Sequence, residues 1–294
     1  MSADKERICR IEFAGSLLDI KYRGISAERV LAFLFRDLEQ PEVSRASGSA
    51  AHFTYRLESD PGCEGMRLYS GDELERECTS EADMALHLIG QACYQLAYFS
   101  SGGLVIHAAL VSQNGRGVLL PGTSGKGKST LAAWLLQCDF DYLTDELVYI
   151  PDGEVQIGCG FARPLNLKKA AQPLLSDLFQ ISAHTRGMMT SASVDLIPHE
   201  LFGKGEELTH VPVHMVIFPR FQSDAAFEVH RLSKAQAGLE LMQCLINARN
   251  LPEHGFPQVI NIARRVPVYQ MVYGDFSAVE VTIQTMLMNS SFTV

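Results

Sequence analysis

The stretch that most constrains this chain runs Pro121-Gly122-Thr123-Ser124-Gly125-Lys126-Gly127-Lys128-Ser129-Thr130. Gly122 to Ser129 reads G-x-x-x-x-G-K-S, a pattern that cradles phosphate. Gly117 to Leu120 before it is an apolar run suited to a buried strand, and Leu131 to Leu136 after it suits a helix. Strand, glycine-rich turn and helix form the context that the pattern requires. Glycines at 122, 125 and 127 let the backbone fold around an anion. Successive N–H groups then point inward, and the helix adds its positive end. Lys128 is placed for the outer phosphates and Ser129 for Mg²⁺. From typical residue frequencies, chance yields this pattern in roughly one chain per hundred of this length. The expected binding residues are therefore Gly122, Thr123, Ser124, Gly125, Lys126, Gly127, Lys128, Ser129 and Thr130.

The 294 residues are 47% hydrophobic and carry a net charge of −9. That composition supports a sizeable core and argues against a general nucleic-acid or membrane-surface binder. Seven cysteines, odd in number and without C-x-x-C spacing, read as buried free thiols in a reducing cytoplasm. The N-terminus lacks the apolar region of a signal peptide. Met84 to Phe99 is apolar but short for a membrane span and reads as a buried helix.

Ahead of residue 104 the chain reads as an α+β accessory region, 1–103, without catalytic spacing. Strands are expected in Ile8 to Tyr22, with a turn at Gly15-Ser16, and in Phe53 to Leu57 and Met66 to Tyr69, with a turn at Asp60-Pro61-Gly62 between them. Ser26 is expected to cap one helix, and Glu81 to open another that runs to Phe99. Pro41 to Ala51 reads as a loop, and His52 and His87 as lone histidines.

Residues 104–294 read as the catalytic domain. Leu104 to Val111 is a strand carrying His107, and Asn114-Gly115 is a hairpin signal that returns the chain to the phosphate loop. After the loop helix, Asp145 and Glu146 immediately precede the apolar run Leu147 to Ile150. A carboxylate there can hold Mg²⁺ or take a proton from an attacking hydroxyl. In Phe161 to Lys169, Arg163 and Lys168 are candidate phosphate or substrate contacts. Ser182 to His210 is a long polar loop with His184, Arg186 and Lys204 as further candidates. Val211 to Pro219 reads as a strand partnered by Ala225 to Leu232. Ser233 caps a helix to about Ala248, Arg264 to Val272 is a strand, and Ser277 to Leu287 a closing helix.

The segment Ile106 to Ile150 resembles the catalytic domain of HPr kinase/phosphorylase, and more closely the broader HPr-kinase-like group of P-loop kinases. The shared pattern is Val105-Ile106-His107-Ala108, Gly115-Arg116-Gly117, the phosphate loop, then Leu143-Thr144-Asp145-Glu146. Relatives that accompany peptide-tailoring clusters, lasso-peptide kinases among them, share the Arg-Pro-Leu-x-Leu-Lys type of stretch at Arg163 to Lys168. The resemblance implies an α/β fold of the phosphoenolpyruvate-carboxykinase-like type, a mixed sheet with helices, and the cofactors ATP and Mg²⁺. It implies Asp145 as general base, Glu146 and Ser129 at the metal, and His107 and Lys128 beside the transferring phosphate. The family's E-x-R-G-type segment has no match here. HPr as acceptor and reverse phosphorylase activity therefore stay open.

The function expected is a kinase that transfers the γ-phosphoryl group to a hydroxyl of a peptide, protein or small molecule. The alternatives are a P-loop ATPase or switch without an acceptor, and a module that holds nucleotide structurally. Assembly into a homo-oligomer is also open.

Overall fold

The computed structural model describes residues 5–36, 51–59, 65–153, 155–175, 187–198 and 209–289. Among them lie three sheets and six helices, a mixed α/β fold. Strands β1 (Arg7–Phe13), β2 (Ser16–Arg23), β3 (Ala51–Ser59), β4 (Met66–Ser70) and β5 (Glu73–Cys78) form the first sheet, in that order. Only β2 and β3 run parallel, connected through helix α1 (Ile25–Phe35). The first turn is Ala14-Gly15, both at positive φ, so Ser16 already pairs with Phe13. Gly24, not Ser26, occupies the N-cap of α1. The expected turn at 60–62 and most of the loop at 41–51 lie outside the described residues.

Helix α2 (Glu81–Tyr98) starts where the sequence places it, because the Ser80 hydroxyl accepts from the Asp83 N–H. Met84, Ala85, Leu88, Ile89, Ala92, Cys93 and Leu96 form its buried stripe at helical spacing. That stripe packs on the first sheet, in a cluster that also takes in Val105, Leu147 and Phe161 from further along the chain. The N-terminal sheet and the rest of the chain thus share apolar contacts.

The central sheet is built on β6 (Gly103–Gln113), β7 (Arg116–Pro121), β8 (Asp141–Thr144), β9 (Leu147–Pro151), β10 (Ile157–Gly160), β14 (His210–Phe221), β15 (Glu228–Arg231) and β16 (Val268–Tyr273). A separate small sheet holds β11 (Leu165–Lys168), β12 (Met189–Thr190) and β13 (Val194–Ile197). In the central sheet β7, β14 and β16 are parallel neighbours, and β6 runs antiparallel to β7. β15 pairs with β16 and not with β14, a correction to the partner expected for 225–232. The direct hairpin is displaced because β7 and β16 already flank the C-terminal half of β14.

The near-continuous apolar runs of this sheet follow from its burial on both faces. Ile106, Ala108, Leu110, Leu119, Val216 and Phe218 face helices α4 (Lys234–Cys244) and α5 (Phe256–Arg265). Ala109, Val111, Val118, Leu120, Met215 and Ile217 face helices α3 (Lys128–Gln137) and α6 (Val279–Asn289). A capping box between Ser233 and Gln236 starts α4, which ends at Cys244, short of the expected Ala248. Helix α5 is not among the sequence expectations.

Strand β6 changes partners midway. On one edge residues 103–107 pair with β9 and residues 110–112 with β8, and on the other edge residues 108–113 pair with β7. On the side of its first half that β7 leaves open, buried Asn247 stands in for a strand. Its Oδ1 accepts from the Val105 N–H at 2.9 Å, and its Nδ2 donates to the Gly103 carbonyl at 3.0 Å and to the Ser100 hydroxyl at 2.9 Å. Among the described residues no helix is long and apolar enough to cross a membrane, and six free thiols are present.

Candidate functional site

The change of partner at residue 107 is what assembles the site. Strands β8 and β9 both run antiparallel to β6, and Asp145-Glu146 is the break between them. Breaks of this kind re-aim side chains. At the same level the Ala108 N–H donates to the Glu146 carbonyl at 3.1 Å, and the Gly122 N–H donates to the His107 carbonyl at 3.4 Å. The histidine, the first loop glycine and the acid are thereby tied through backbone. In an alternating strand His107 shares the face of Ala109 and Val111, the face covered by α3.

Gly127 occupies the N-cap of α3 at φ 96°. A Cβ there would lie 3.0 Å from the Tyr273 hydroxyl and 3.2 Å from Phe221 Cβ. Conformation and space both demand glycine at this position. The Phe221 N–H donates to the Lys126 carbonyl at 3.4 Å, which joins the loop to the end of β14. The loop is thus supported by β6 on one flank and by β14 and β16 on the other.

A cavity of about 330 Å³ opens over this loop. Of the residues singled out in the sequence, Ser124, Gly125, Gly127, Lys128, Ser129, Thr130, His107, Glu146 and Lys168 line it. Gly122, Thr123 and Lys126 belong to the loop but not to the cavity wall. Lys128 is buried, and its ammonium donates to the Thr123 carbonyl at 3.4 Å. Burial lowers its pKa, opposed by the charges of Glu146 and Asp145. His107 Nε2 lies 3.4 Å from Glu146 Oε1. Burial, with the Lys128 cation next, holds the imidazole below its ordinary range. A buried cation and a neutral imidazole beside a glycine-rich turn at a helix N-terminus are suited to an anion. Ser129 and Glu146 both line the cavity and bring oxygen donors of the kind a hard cation such as Mg²⁺ takes.

Asp145 and Arg163 are placed differently from the sequence expectation. Neither lines the cavity. Asp145 is 1% exposed and Arg163 3% exposed, and they face each other behind the cavity wall. Arg163 Nε sits 3.0 Å from Asp145 Oδ1, off the N–H direction, so the contact is one of charge and not an aligned hydrogen bond. Arg163 Nη1 reaches Glu146 Oε2 at 3.7 Å. The Tyr142 hydroxyl donates to Asp145 Oδ1 at 3.0 Å, and the Asn166 N–H to Oδ2 at 3.3 Å. Burial works against the Arg163 charge, but the two acids carry its pKa above the ordinary value. Arg163 thus serves the acids, and Asp145 anchors it while Glu146 is turned to the cavity. Asp145 and Glu146 form the bend between β8 and β9, both reach Arg163, and of the two only Glu146 lines the cavity.

Asn166, Ala170, Ala171, Phe221 and Tyr273 complete the lining and were not singled out from sequence. Phe221 and Tyr273 end two strands parallel to β7, and nothing local in the sequence reports that neighbourhood. His184, Arg186 and Lys204 lie outside the described residues.

No protein-family model matches this chain, and no curated protein matches it. Among solved structures it is similar to the Hpr(Ser) kinase/phosphatase from Coxiella burnetii. The similarity is 14% in identity, covers 63% of this chain and 94% of that one, and has a TM-score of 0.32.

Proposed function

We propose that this protein is an ATP- and Mg²⁺-dependent phosphotransferase that phosphorylates a hydroxyl of a peptide, protein or small molecule. The observation that carries the reading is convergence. Lys128, Ser129, His107 and Glu146, from three separate segments, line one cavity over a phosphate-type loop. The loop amides and Lys128 would hold the phosphate chain, and Ser129 and Glu146 the Mg²⁺, which when bound neutralises phosphate charge. Phosphoryl transfer asks mainly for positioning and charge neutralisation. Glu146 would stay on the metal, and His107, 3.4 Å from it, would accept the hydroxyl proton. Asp145 is engaged with Arg163, Tyr142 and Asn166, and supports Glu146 from behind.

The test is incubation with γ-labelled ATP, Mg²⁺ and serine-containing peptides or small alcohols, followed by mass spectrometry. Lys128→Ala should abolish nucleotide binding. Glu146→Gln should keep Mg²⁺-free nucleotide binding and lower transfer by about 10²-fold or more. Full transfer by Glu146→Gln would remove it from the mechanism. Steady phosphate release with no labelled acceptor would replace transfer by hydrolysis.

A further inference from the structure

The two flanks of the phosphate loop differ in chemistry. On one side the cavity is lined by His107 and Glu146, and by Asn166 and Lys168 of β11 with Ala170 and Ala171 just beyond it. On the other side it is lined by Phe221 and Tyr273. These two residues pair in register at the carboxyl ends of β14 and β16, and their rings meet edge-on with centroids 5.7 Å apart. The wall is tied to its surroundings, since the Phe221 N–H bonds the Lys126 carbonyl and the Gln222 N–H bonds the Tyr273 carbonyl.

Tyr273 carries the decisive atom. The residue is fully buried, yet its hydroxyl has no hydrogen-bond partner among the described residues. Buried polar groups are normally paired, because an unpaired one forfeits its hydration without return. The hydroxyl lies at the loop, 3.0 Å from where a Gly127 Cβ would stand. Burial raises its pKa, so it remains a donor. A donor held without a partner against a helix N-terminus is matched by a ligand that brings an acceptor.

We infer that the Phe221–Tyr273 wall is the nucleoside end of the site. The Tyr273 hydroxyl donates to the ribose–phosphate junction, and the Phe221 ring packs on the base. This fixes the direction of the ligand, with its reacting phosphate toward Glu146 and His107 and its base toward the ends of β14 and β16. The assignment rests on the nucleotide-dependent reading above. Aromatic rings accept any base by stacking, and Lys128 with Lys168 suits the phosphate end.

The experiment compares two probes, the β,γ-imido analogue of ATP and pyrophosphate, by calorimetry on the full chain. The variants are Tyr273→Phe, which removes one oxygen, and Phe221→Leu. Each should weaken the analogue by about tenfold. Pyrophosphate should bind each within about twofold of the parent, as it lacks ribose and base. Ligand-free Tyr273→Phe should melt at or above the parent temperature, since the atom removed had no partner. Unchanged analogue binding in both variants overturns the inference, as does equal weakening of both probes. A parent that binds neither probe overturns the nucleotide reading instead, and the two failures are therefore separable.

Discussion

Replacing Arg163 by Met tests whether Asp145 is a structural partner or a reacting group. The side chains involved are 3% and 0% exposed, and their charges approach to 3.0 Å. Breaking a buried ion pair by removing one partner costs about 3–5 kcal/mol, chiefly from the charge left behind. The lower end applies, because Asp145 keeps the Tyr142 hydroxyl and the Asn166 N–H. A loss of about 3 kcal/mol at about 2–4 °C per kcal/mol corresponds to a melting temperature lower by roughly 6–12 °C. Arg163→Met with Asp145→Asn removes both charges and should return to within about 1 kcal/mol of the parent. Chemical denaturation of the four proteins in the cycle then gives a coupling of about 2 kcal/mol or more. Additive losses in the double variant would refute the pairing. A folded double variant that still transfers phosphate confines Asp145 to support. Loss of transfer alone, with nucleotide binding kept, would return it to the reaction.

Two more perturbations probe the loop and the strand crossing. Gly127→Ala meets the Tyr273 hydroxyl at 3.0 Å and a φ of 96°, so it should cost about 1–2 kcal/mol and weaken phosphate binding, read by denaturation and calorimetry. His107 and His214 are both held below the usual histidine value of 6.5, chiefly by burial. Between their lowered values and 6.5 the unfolded chain binds protons that the fold does not. Stability therefore rises with pH through that window and is fully present above it. Urea denaturation at several pH values should show the slope, and His107→Gln with His214→Gln should flatten it. An unchanged slope would contradict the burial of both rings.

What the sequence determined by itself is local. The loop from Gly122 to Ser129 encodes its own shape, through glycines at positive φ and the helix that follows. The Ser80 cap, the Ser233–Gln236 box and the Asn114-Gly115 turn, with φ of 53° and 72°, likewise depend on neighbours a few residues apart. The place of His107, on a strand that returns directly to the loop, was also legible. The tertiary structure decided everything that depends on which distant strands meet. Asp145 and Glu146 are adjacent carboxylates at the break between β8 and β9; both contact Arg163, and of the two only Glu146 lines the cavity. Arg163 is in sequence a candidate phosphate or substrate contact on a loop, and the fold buries it behind the acids. Phe221 and Tyr273 become one wall of the phosphate loop through parallel pairing of β7, β14 and β16, brought together from far along the chain. A motif is fixed by the dihedral preferences of its own residues, whereas a wall is fixed by long-range pairing, to which those preferences are blind.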